Sequence, residues 1–538
     1  MLVLIAGGGL GLRLVRIEQR PMHTDEAVHA VKFNELWTTG RYVYDPVEYH
    51  GPVLYYATLP VVWLSGAENF TQTRETTYRV VPIIFGLGLI LLLPLVSDGL
   101  GRGATLIAGV LTAVSPAFVF YSPYYIQEML LAFFTLFVLA AAWRYVQTRR
   151  AVWALLAGAG LGLMHATKET CIIAFGCMVA ALVATLVFRH SSSADRVDRV
   201  AHGFSRGEHE STERSCPPPL KRRATQWGVL GGAVAVGVAI SVLFYTGFFT
   251  NARGPLDSIL TYVNYFERAG NFGLHDHPWH YYLKLLAYTQ LGPRAAWSEG
   301  LILLLAVLGL IAVGIRRPPP DANQDFLRFI AVYAVLMTLV YSAITYKTPW
   351  CLLQFLQPLI LLAGVGAAAL LHWIKPWPVR VATGLLLIVG VCHLSVQAWR
   401  TSDWYRINYQ NAYVYAQPLS GVLRLSEWTH KLANVHPHGQ KILIRVIADH
   451  PWPLPWYLRD LERVGYWDQV PKEVDAPLVI VSDEFQPAVA ERLKQEYQVY
   501  HYGMRPDVTL FAYVEQSLWE VFVAHERAAE TQPAKDLE

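Results

Sequence analysis

Charged residues are scarce in this chain. Only 16% of its 538 residues are charged, whereas 54% are hydrophobic and the mean hydropathy is +0.29. Ordinary soluble domains carry about 25% charged residues. The composition therefore argues against a typical soluble enzyme and predicts a protein that crosses a membrane several times. A formal net charge of +3, without a basic stripe of interleaved aromatics, gives no reason to expect nucleic acid as a partner.

Paired cysteines are also lacking. The five cysteines are scattered along the chain, with no CxxC pair and no metal-ligand spacing, at positions 171, 177, 216, 351 and 392. Neither a zinc site nor a disulfide scaffold is indicated.

Long apolar runs are what the sequence has instead. A bilayer core needs about 20 mainly apolar residues per helix. The run at 53–66 is shorter, contains Pro60 and predicts a helix lying at the membrane surface. About eleven runs predict spans: 1–16, 79–99, 103–121, 127–146, 151–167, 170–188, 226–249, 297–315, 326–345, 351–372 and 380–399.

The basic residues of the connections predict the orientation, because Lys and Arg are retained on the cytoplasmic side. Arg149, Arg316 and Lys375 fall on one side, together with a polar insert at 190–225 that we expect to be disordered. The other side then carries the loops 17–78, 122–126, 168–169, 250–296 and 346–350 and the tail from residue 400. We expect a multi-pass protein of the plasma (inner) membrane whose tail is exoplasmic.

The tail has a different character from the membrane module at 1–399. Alternating or continuous apolar runs predict strands at 441–448, 476–483 and 508–514, and an amphipathic pattern predicts a helix at 487–497. The fold class expected is a polytopic α-helical membrane protein with a soluble α/β domain at 400–538.

Carboxylates open the first outer loop. The apolar spacing of DEAVHAVKFNELWTT predicts a helix stopped by Gly40, with Asp25 and Glu26 in its first turn. Acidic residues favour the positive end of a helix dipole by about 0.3 to 1 kcal/mol, so a purely structural role is the plain alternative. Asp25 and His29 are four residues apart, which is a weak metal signal.

Three more charged residues lie at the ends of apolar spans on the same predicted side. Ionisable groups at membrane depth are costly and suggest function, as for Glu128, Lys168 and Lys347. The alternative is that the lysines extend to the membrane interface. Lysines suit a lipid-linked phosphate, and a carboxylate suits an acceptor hydroxyl that must lose its proton, here to Asp25.

Several motifs, in order along the chain, resemble one family. They are Asp25-Glu26, His50-Gly51-Pro52-Val53-Leu54-Tyr55-Tyr56, Tyr121-Ser122 with Glu128, Gly160-Leu161-Gly162 with Thr167-Lys168-Glu169, Tyr346-Lys347-Thr348-Pro349-Trp350 and Pro453-Leu454-Pro455-Trp456-Tyr457-Leu458-Arg459. The sequence resembles the GT-C glycosyltransferases that use polyprenyl-phosphate sugars, in the protein O-mannosyltransferase and lipid A aminoarabinose transferase branch. More narrowly, it is similar to the flippase-activity-associated membrane proteins.

The resemblance implies an inverting transfer with Asp25 as catalytic base. Glu26 and Glu128 would share the catalytic site, Glu128 supporting the acceptor or a divalent ion such as Mg or Mn. Lys168, Lys347 and Tyr346 would bind the donor phosphate, and His50, Tyr55 and Trp456 the acceptor or sugar. Relatives often have His-Pro-Pro-Leu at 50–53 and an arginine where this chain has Pro123.

A histidine-rich segment, HDHPWHYY at 275–282, is a weaker signal. His275 and His277 could hold a metal with Asp25, Asp276 or Glu128. The alternative is an aromatic belt with hydrogen-bonded histidines at the interface.

Three functional classes follow. The first is an exoplasmic glycosyltransferase, with a polyprenyl-phosphate-linked sugar, membrane lipid and a glycan, lipid or protein acceptor as partners. The second is a non-catalytic subunit on the same fold. The third is a transporter or flippase component, which should show polar, discontinuous helices at the midplane, whereas these spans are mostly clean apolar runs. The transferase hypothesis predicts that four residues meet in one pocket: Asp25, Glu128, Lys168 and Lys347.

Overall fold

A computed structural model describes the backbone at 1–203, 220–269 and 275–531 and the side chains at 1–189, 227–264 and 275–528. The chain divides into two compact units. The first unit comprises 1–15, 36–61 and 79–413, and the second comprises 16–35, 62–78 and 414–538.

Helices dominate the described residues up to position 402. They are α1 (Leu2–Leu14), α2 (Thr24–Thr39), α3 (Val53–Ser65), α4 (Glu75–Leu92), α5 (Ser97–Leu100), α6 (Arg102–Val114), α7 (Pro116–Tyr121), α8 (Glu128–Thr148), α9 (Ala151–His165), α10 (Cys171–Gly203), α11 (Leu220–Tyr245), α12 (Gly254–Ala269), α13 (Tyr281–Ala287), α14 (Gly300–Gly314), α15 (Gln324–Ala343), α16 (Leu353–Trp373) and α17 (Trp377–Ser402). A small antiparallel pair, β1 (Thr289–Gln290) and β2 (Ala296–Trp297), precedes α14.

Seven helical segments of the described chain are long and apolar enough to cross a membrane, and α1, α3, α6, α9 and α14 are shorter apolar helices. The polytopic helical class is therefore confirmed, while the count of about eleven spans stays a prediction. One predicted span, 103–121, is interrupted at Ser115, which caps α7 and precedes Pro116. Proline has no N–H and cannot continue the hydrogen-bond ladder of α6.

Glycines bring several helices of the first unit into close contact. A Cβ on Gly158 or Gly162 of α9 would lie 2.0 or 2.3 Å from a carbonyl oxygen of α11. A Cβ on Gly366 of α16 would lie 2.0 Å from the oxygen of Leu305 in α14. Small residues permit this backbone approach between membrane helices.

The helices differ greatly in burial. The apolar window of α16 is 89% buried, whereas the windows of α11 and α17 are only 6% buried. Leucines and valines on α17 are therefore exposed, including Leu386 and Val389. Exposed apolar faces of this size need a lipid environment.

The last part of the second unit is built on a five-stranded sheet, as expected for an α/β domain. Its strand order is β4-β3-β5-β7-β6, with β3 parallel to β4 and β5, and β7 antiparallel to β5 and β6. The elements are α18 (Gly421–Val435), β3 (Ile444–Ile447), α19 (Leu454–Tyr457), β4 (Val464–Trp467), β5 (Leu478–Ser482), α20 (Gln486–Ala490), β6 (Tyr497–Arg505), β7 (Val508–Glu515) and α21 (Gln516–Thr531).

The predicted strands at 441–448, 476–483 and 508–514 are confirmed as β3, β5 and β7. The predicted helix at 487–497 is confirmed only at its start, because α20 ends at Ala490. The carboxylate of Asp475 accepts hydrogen bonds from the main-chain N–H groups of Lys494 and Gln495, which holds the chain in a loop before β6.

The domain limits at 399 and 400 stay predictions. The insert at 190–225 was expected to be disordered. Helix α10 extends into its first part and α11 into its last part, and its middle part, 204–219, lies outside the described residues.

Candidate active site

The two acidic residues that open α2 have different environments within the second unit. Glu26 is fully buried. Its carboxylate accepts a hydrogen bond from the main-chain N–H of His23 at 2.9 Å and pairs with Arg20 at 4.0 Å. A glutamate that reaches back to the start of its own helix satisfies an otherwise unpaired donor, as in a capping box. Glu26 thus stabilises the helix end.

Asp25 is the accessible member of the pair, since its side chain is 42% exposed. Its N–H donates to Nδ1 of His23 at 3.1 Å, and its carboxylate lies 3.9 Å from the same nitrogen. Nε2 of His23 lies 3.1 Å from the main-chain oxygen of Tyr415, so Nε2 donates and Nδ1 accepts. Asp25 therefore sits beside a neutral imidazole in this arrangement and keeps an accessible carboxylate.

In the first unit, Lys168 and Glu128 form a buried ion pair. Lys168 lies in the short loop between α9 and α10, and Glu128 is the first residue of α8. The amide of Gln354 in α16 donates to the main-chain oxygen of Glu128 at 3.0 Å. Burial alone would lower the pKa of Lys168, but the adjacent Glu128 carboxylate raises it above its usual value. Lys168 is thus a cation whose charge is already balanced.

The next residue of that loop, Glu169, carries a second buried carboxylate. It lies 2.7 Å from Nδ1 of His50 and accepts a hydrogen bond from the Tyr44 hydroxyl at 2.8 Å. Burial favours a raised pKa, but the charge and hydrogen bond of His50 prevail and lower the pKa of Glu169 to about 2. Gly51 makes this docking possible, because a Cβ there would lie 2.3 Å from the main-chain oxygen of Ala166.

The HDH and YKT motifs form a second pairing of distant segments in the first unit. Asp276 and Tyr346 form an isolated antiparallel bridge, and the His275 ring lies 4.9 Å from the Tyr346 ring. The amine of Lys347 donates to the main-chain oxygens of His277, at 3.1 Å, and of Ile344. Burial lowers the pKa of Lys347. Its hydrogen-bond acceptors are neutral carbonyls, so its charge is less compensated than that of Lys168.

A metal site is not assembled from the predicted ligands in the described part of the chain. No group of three or more His, Cys, Asp or Glu side chains comes together there in a form that could hold an ion. The His277 ring stacks on Tyr281 with centroids 4.1 Å apart. The metal site of His275, His277 and Asp25 stays a prediction, and no chemical step below depends on a metal.

Two residues predicted to bind sugar lie in packed surroundings. Tyr55 is fully buried, with its ring 5.2 Å from that of Tyr42. Trp456, in the second unit, is also fully buried, and the guanidinium of Arg459 lies 3.7 Å from its ring centroid. Arg459 also donates to the main-chain oxygen of Thr73 at 2.8 Å. These contacts stabilise the fold, and sugar binding by Tyr55 and Trp456 stays a prediction.

Comparisons with known proteins bear on both the sequence and the fold. Residues 60–198 match the family model described as dolichyl-phosphate-mannose-protein mannosyltransferase. The structure is similar to the crystal structure of ArnT from Cupriavidus metallidurans bound to undecaprenyl phosphate, with a TM-score of 0.61, 16% sequence identity and coverage of 96% of this chain and 98% of that one. No curated protein sequence matches the chain.

A second similar structure is the Archaeoglobus fulgidus oligosaccharyltransferase in its apo form. The TM-score is 0.53 at 14% identity, over 97% of this chain and 76% of that one. Both of these proteins are GT-C glycosyltransferases. The chain has the GT-C fold.

The GT-C fold brings together motifs far apart in sequence. It joins His50 to the loop of Lys168 and Glu169, Lys168 to Glu128, and the His275 segment to Tyr346 and Lys347. Asp25 and Glu26 belong to the second unit, and the remaining predicted catalytic and phosphate-binding residues belong to the first. Their meeting in one pocket stays a prediction.

Sequence reasoning gave no role to Glu169, although this residue is the hydrogen-bonding partner of His50. The available signal was its position directly after Lys168 in a loop between two apolar runs, where a second charge is as costly as the first. It also missed Glu299, a fully buried carboxylate that accepts hydrogen bonds from Ser115, Tyr413 and the N–H of Ala117.

Proposed function

We propose that this protein is a membrane glycosyltransferase that moves a sugar from a polyprenyl-phosphate donor to an acceptor. The observation that carries the proposal is a GT-C fold shared over 96% of the chain with a protein crystallised with undecaprenyl phosphate. The mannosyltransferase family match at 60–198 and a carboxylate cluster opening α2 add support.

The proposed reaction is a single displacement at the anomeric carbon. The acceptor hydroxyl oxygen forms a bond to that carbon while the bond from the carbon to the phosphate oxygen breaks, and its electron pair stays with the phosphate. Asp25 takes the hydroxyl proton as general base. Attack opposite to the leaving group inverts the configuration, as in the single-step glycosyl transfers that use a carboxylate base.

The developing charge on the phosphate needs cations. Lys347 suits this role because its amine is held by neutral carbonyl oxygens. Lys168 is already paired with Glu128, so it can contribute to phosphate binding only to the extent that this pair loosens. Tyr346, half exposed beside Lys347, can add a hydroxyl donor.

We place the reaction at the exoplasmic face of the inner membrane, because Arg149, Arg316 and Lys375 lie in short connections on the opposite side and mark that side as cytoplasmic. The acceptor is a glycan, a lipid or a protein. A divalent metal, if bound, would be held by His275, His277 and Asp25, or supported by Glu128.

The test uses the purified full chain reconstituted with a panel of polyprenyl-phosphate sugars and acceptors. Removing a general base commonly lowers the rate by about 10²- to 10⁴-fold, so Asp25→Asn should lose transfer to that extent. Glu35→Gln is the matched control, since Glu35 lies on the same helix with its side chain 57% exposed beside Lys32. Transfer by Asp25→Asn at the wild-type rate would exclude Asp25 as the base.

Native mass spectrometry separates the alternatives. A transferase should retain undecaprenyl phosphate and transfer sugar. Retained lipid without transfer, in the wild type and in Asp25→Asn alike, would identify a non-catalytic subunit. Movement of the sugar lipid across reconstituted vesicles without transfer would identify a flippase component.

A further inference from the structure

The chain just before α2 is held by the C-terminal part of the second unit. The side-chain amide of Gln417 donates to the main-chain oxygen of Pro21 at 2.8 Å. The main-chain N–H of Met22 donates to the Tyr457 hydroxyl, also at 2.8 Å. The partners are 396 and 435 residues apart in the sequence, so these contacts come from the tertiary fold and not from the local path of the chain.

The position of Asp25 depends on this segment. Nε2 of His23 lies 3.1 Å from the main-chain oxygen of Tyr415, and Nδ1 of the same ring accepts the N–H of Asp25 at 3.1 Å. Residues 21, 22 and 23 thus each have a partner on the tail, and Asp25 follows two residues later. The Asp25 side chain is 42% exposed, so the direction of its carboxylate is set mainly by the main chain that carries it.

Burial gives these contacts their weight. Met22 and Gln417 are fully buried, and Tyr457 is only 8% exposed. A main-chain N–H that loses an acceptor away from water costs free energy, because water cannot take the place of the missing group. Without the Tyr457 hydroxyl, the chain at Met22 should therefore shift toward another acceptor. Such a shift would displace Asp25, three residues further on.

The main chain of Tyr457 is itself held against α18. The Ser426 hydroxyl donates to the main-chain oxygen of Tyr457 at 3.1 Å. Asp460 lies 2.7 Å from Nε2 of His430, and Nδ1 of that ring lies 2.7 Å from the main-chain oxygen of Ser426. Residues 457 and 460 are therefore both attached to one turn of α18. This attachment limits the movement of the hydroxyl that Met22 contacts.

Arg459 ties the same segment to another part of the second unit. Its guanidinium donates to the main-chain oxygens of Trp456 at 2.6 Å and of Thr73 at 2.8 Å. The motif at 453–459, to which the proposed reaction gave no tested role, is thus a well-supported segment. Its tyrosine hydroxyl reaches the loop before α2.

The plain alternative is that Tyr457 only stabilises the fold. Tyr513, on β7 of the same unit, allows the two roles to be separated. It is 5% exposed, and its hydroxyl accepts a hydrogen bond from the Gln486 amide at 2.8 Å. The two tyrosines are alike in burial and in the length of this hydrogen bond, and they differ in what the hydroxyl holds.

We propose that Tyr457 is a positioning residue of the transfer, because its hydroxyl holds the main chain at Met22 and thereby directs the Asp25 carboxylate toward the acceptor. This inference rests on the proposed function. In that reaction Asp25 takes the proton of the acceptor hydroxyl while the hydroxyl oxygen forms its bond to the sugar carbon. Tyr457 neither donates nor takes a proton in this step, so its effect passes through Asp25.

The experiment measures transfer by the reconstituted full chain at saturating donor and acceptor. Tyr457→Phe keeps the ring and removes the hydroxyl. It should lower kcat by about 10- to 100-fold, because a displacement of about 1 Å in a reacting group can cost that much. The KM for the donor should stay at the wild-type value, since Asp25 acts on the acceptor. Tyr513→Phe is the matched control and should transfer at the wild-type rate.

Hydrogen exchange gives a readout that does not depend on activity. The main-chain amides at 22–26 should exchange faster in Tyr457→Phe than in the wild type, and at the wild-type rate in Tyr513→Phe. Gln417→Leu removes the amide that holds Pro21, so it should lower kcat and speed this exchange through a different contact.

A double variant tests whether the effect passes through Asp25. Tyr457→Phe should not lower the residual rate of Asp25→Asn any further, because the group that it positions is already lost. A further fall equal to that seen in the wild-type background would show that Tyr457 acts by another route, which would overturn the inference.

The remaining failures are distinguishable. Absence of transfer by the wild type with every donor would overturn the proposed function and, with it, this inference. A folded Tyr457→Phe protein with the wild-type kcat, or an equal fall in Tyr457→Phe and Tyr513→Phe, would overturn this inference alone. If Tyr457→Phe does not fold, Gln417→Leu decides, and a wild-type kcat in that variant would overturn the inference.

Discussion

Two neighbouring carboxylates, Asp25 and Glu26, show what one position along a helix can change. Glu26 is buried against Arg20 and the main chain of His23, whereas Asp25 is 42% exposed. Glu26→Ala should lower the free energy of unfolding by about 1 to 3 kcal/mol, because it leaves a buried donor and a buried guanidinium with one partner fewer. The measurement is thermal unfolding of the purified protein in detergent.

Asp25→Ala is the comparison for this prediction, because its side chain is in the same helical turn. It should change the free energy of unfolding by about 1 kcal/mol or less, the range of exposed acids near a helix N-terminus. Equal destabilisation by the two substitutions would contradict the assignment of a capping role to Glu26 and of a catalytic role to Asp25.

Glu169 gives a prediction on pH and stability. Its pKa falls from 4.5 to about 2 in the folded chain, so the folded state binds fewer protons than the unfolded state between these values. The resulting stabilisation is fully present above pH 4.5 and is lost as the pH falls toward 2. The shift corresponds to about 3 kcal/mol.

The check is thermal unfolding of the wild type and Glu169→Gln in detergent from pH 7 to pH 3. The advantage of the wild type should be largest above pH 4.5 and should shrink below it. An advantage that stays constant down to pH 3 would contradict the ion pair with His50 as its source.

At the residue scale, the sequence predicted which groups to examine better than it predicted their roles. Lys168 and Glu128 were singled out because buried charge is costly, and they are indeed paired with each other. Asp25 and Glu26 could not be separated, because the direction of a side chain at a helix end depends on the path of the preceding residues. The partner of His50 is 119 residues away, which no local pattern indicates.

At the scale of the helices, close contacts in the first unit depend on small residues. Gly158 and Gly162 of α9 face Ala233 and Gly237 of α11. Gly162→Ala would place a Cβ 2.3 Å from the main-chain oxygen of Gly237, and this oxygen cannot move without its helix. We expect a loss of about 1 to 3 kcal/mol, measured by thermal unfolding.

Gly176→Ala in α10 is the matched control. A Cβ there meets nothing within 4 Å. Alanine is the better helix former, so this variant should be neutral or up to about 1 kcal/mol more stable. If both variants unfold at the wild-type temperature, α9 and α11 do not depend on the close approach at Gly162.

The elements themselves were predictable to different degrees. Apolar runs of about 20 residues predicted the positions of the long helices well, because a helix needs that length to cross a bilayer core. Strands β4 and β6 were missed. The helix predicted at 487–497 was too long, because the apolar spacing of PAVAERLKQEY continues a helical stripe beyond Ala490, where α20 ends. The side-chain hydrogen bonds of Asp475 and the pairing of β6 with β7 override that local pattern.

At the scale of the whole molecule, the decisive prediction is the side of the membrane. In a variant without the five native cysteines, Glu473→Cys on the sheet domain should react with a membrane-impermeant maleimide from outside intact cells. Glu473 is 89% exposed at its side chain, so access is not limited by burial. Arg317→Cys, in the exposed connection between α14 and α15, should react only after permeabilisation, because basic residues are retained in the cytoplasm.

The two sites are informative together because an odd number of membrane crossings between them is required. Labelling of both residues from outside would contradict the predicted order in which successive connections lie on alternate sides of the membrane. The exoplasmic position of Asp25 depends on that order. Labelling of Arg317→Cys alone would show that the protein has the opposite orientation in the membrane. The proposed transfer would then take place on the cytoplasmic side. Only the expected pattern allows the loops of Lys168 and Lys347 to meet a donor at the outer face.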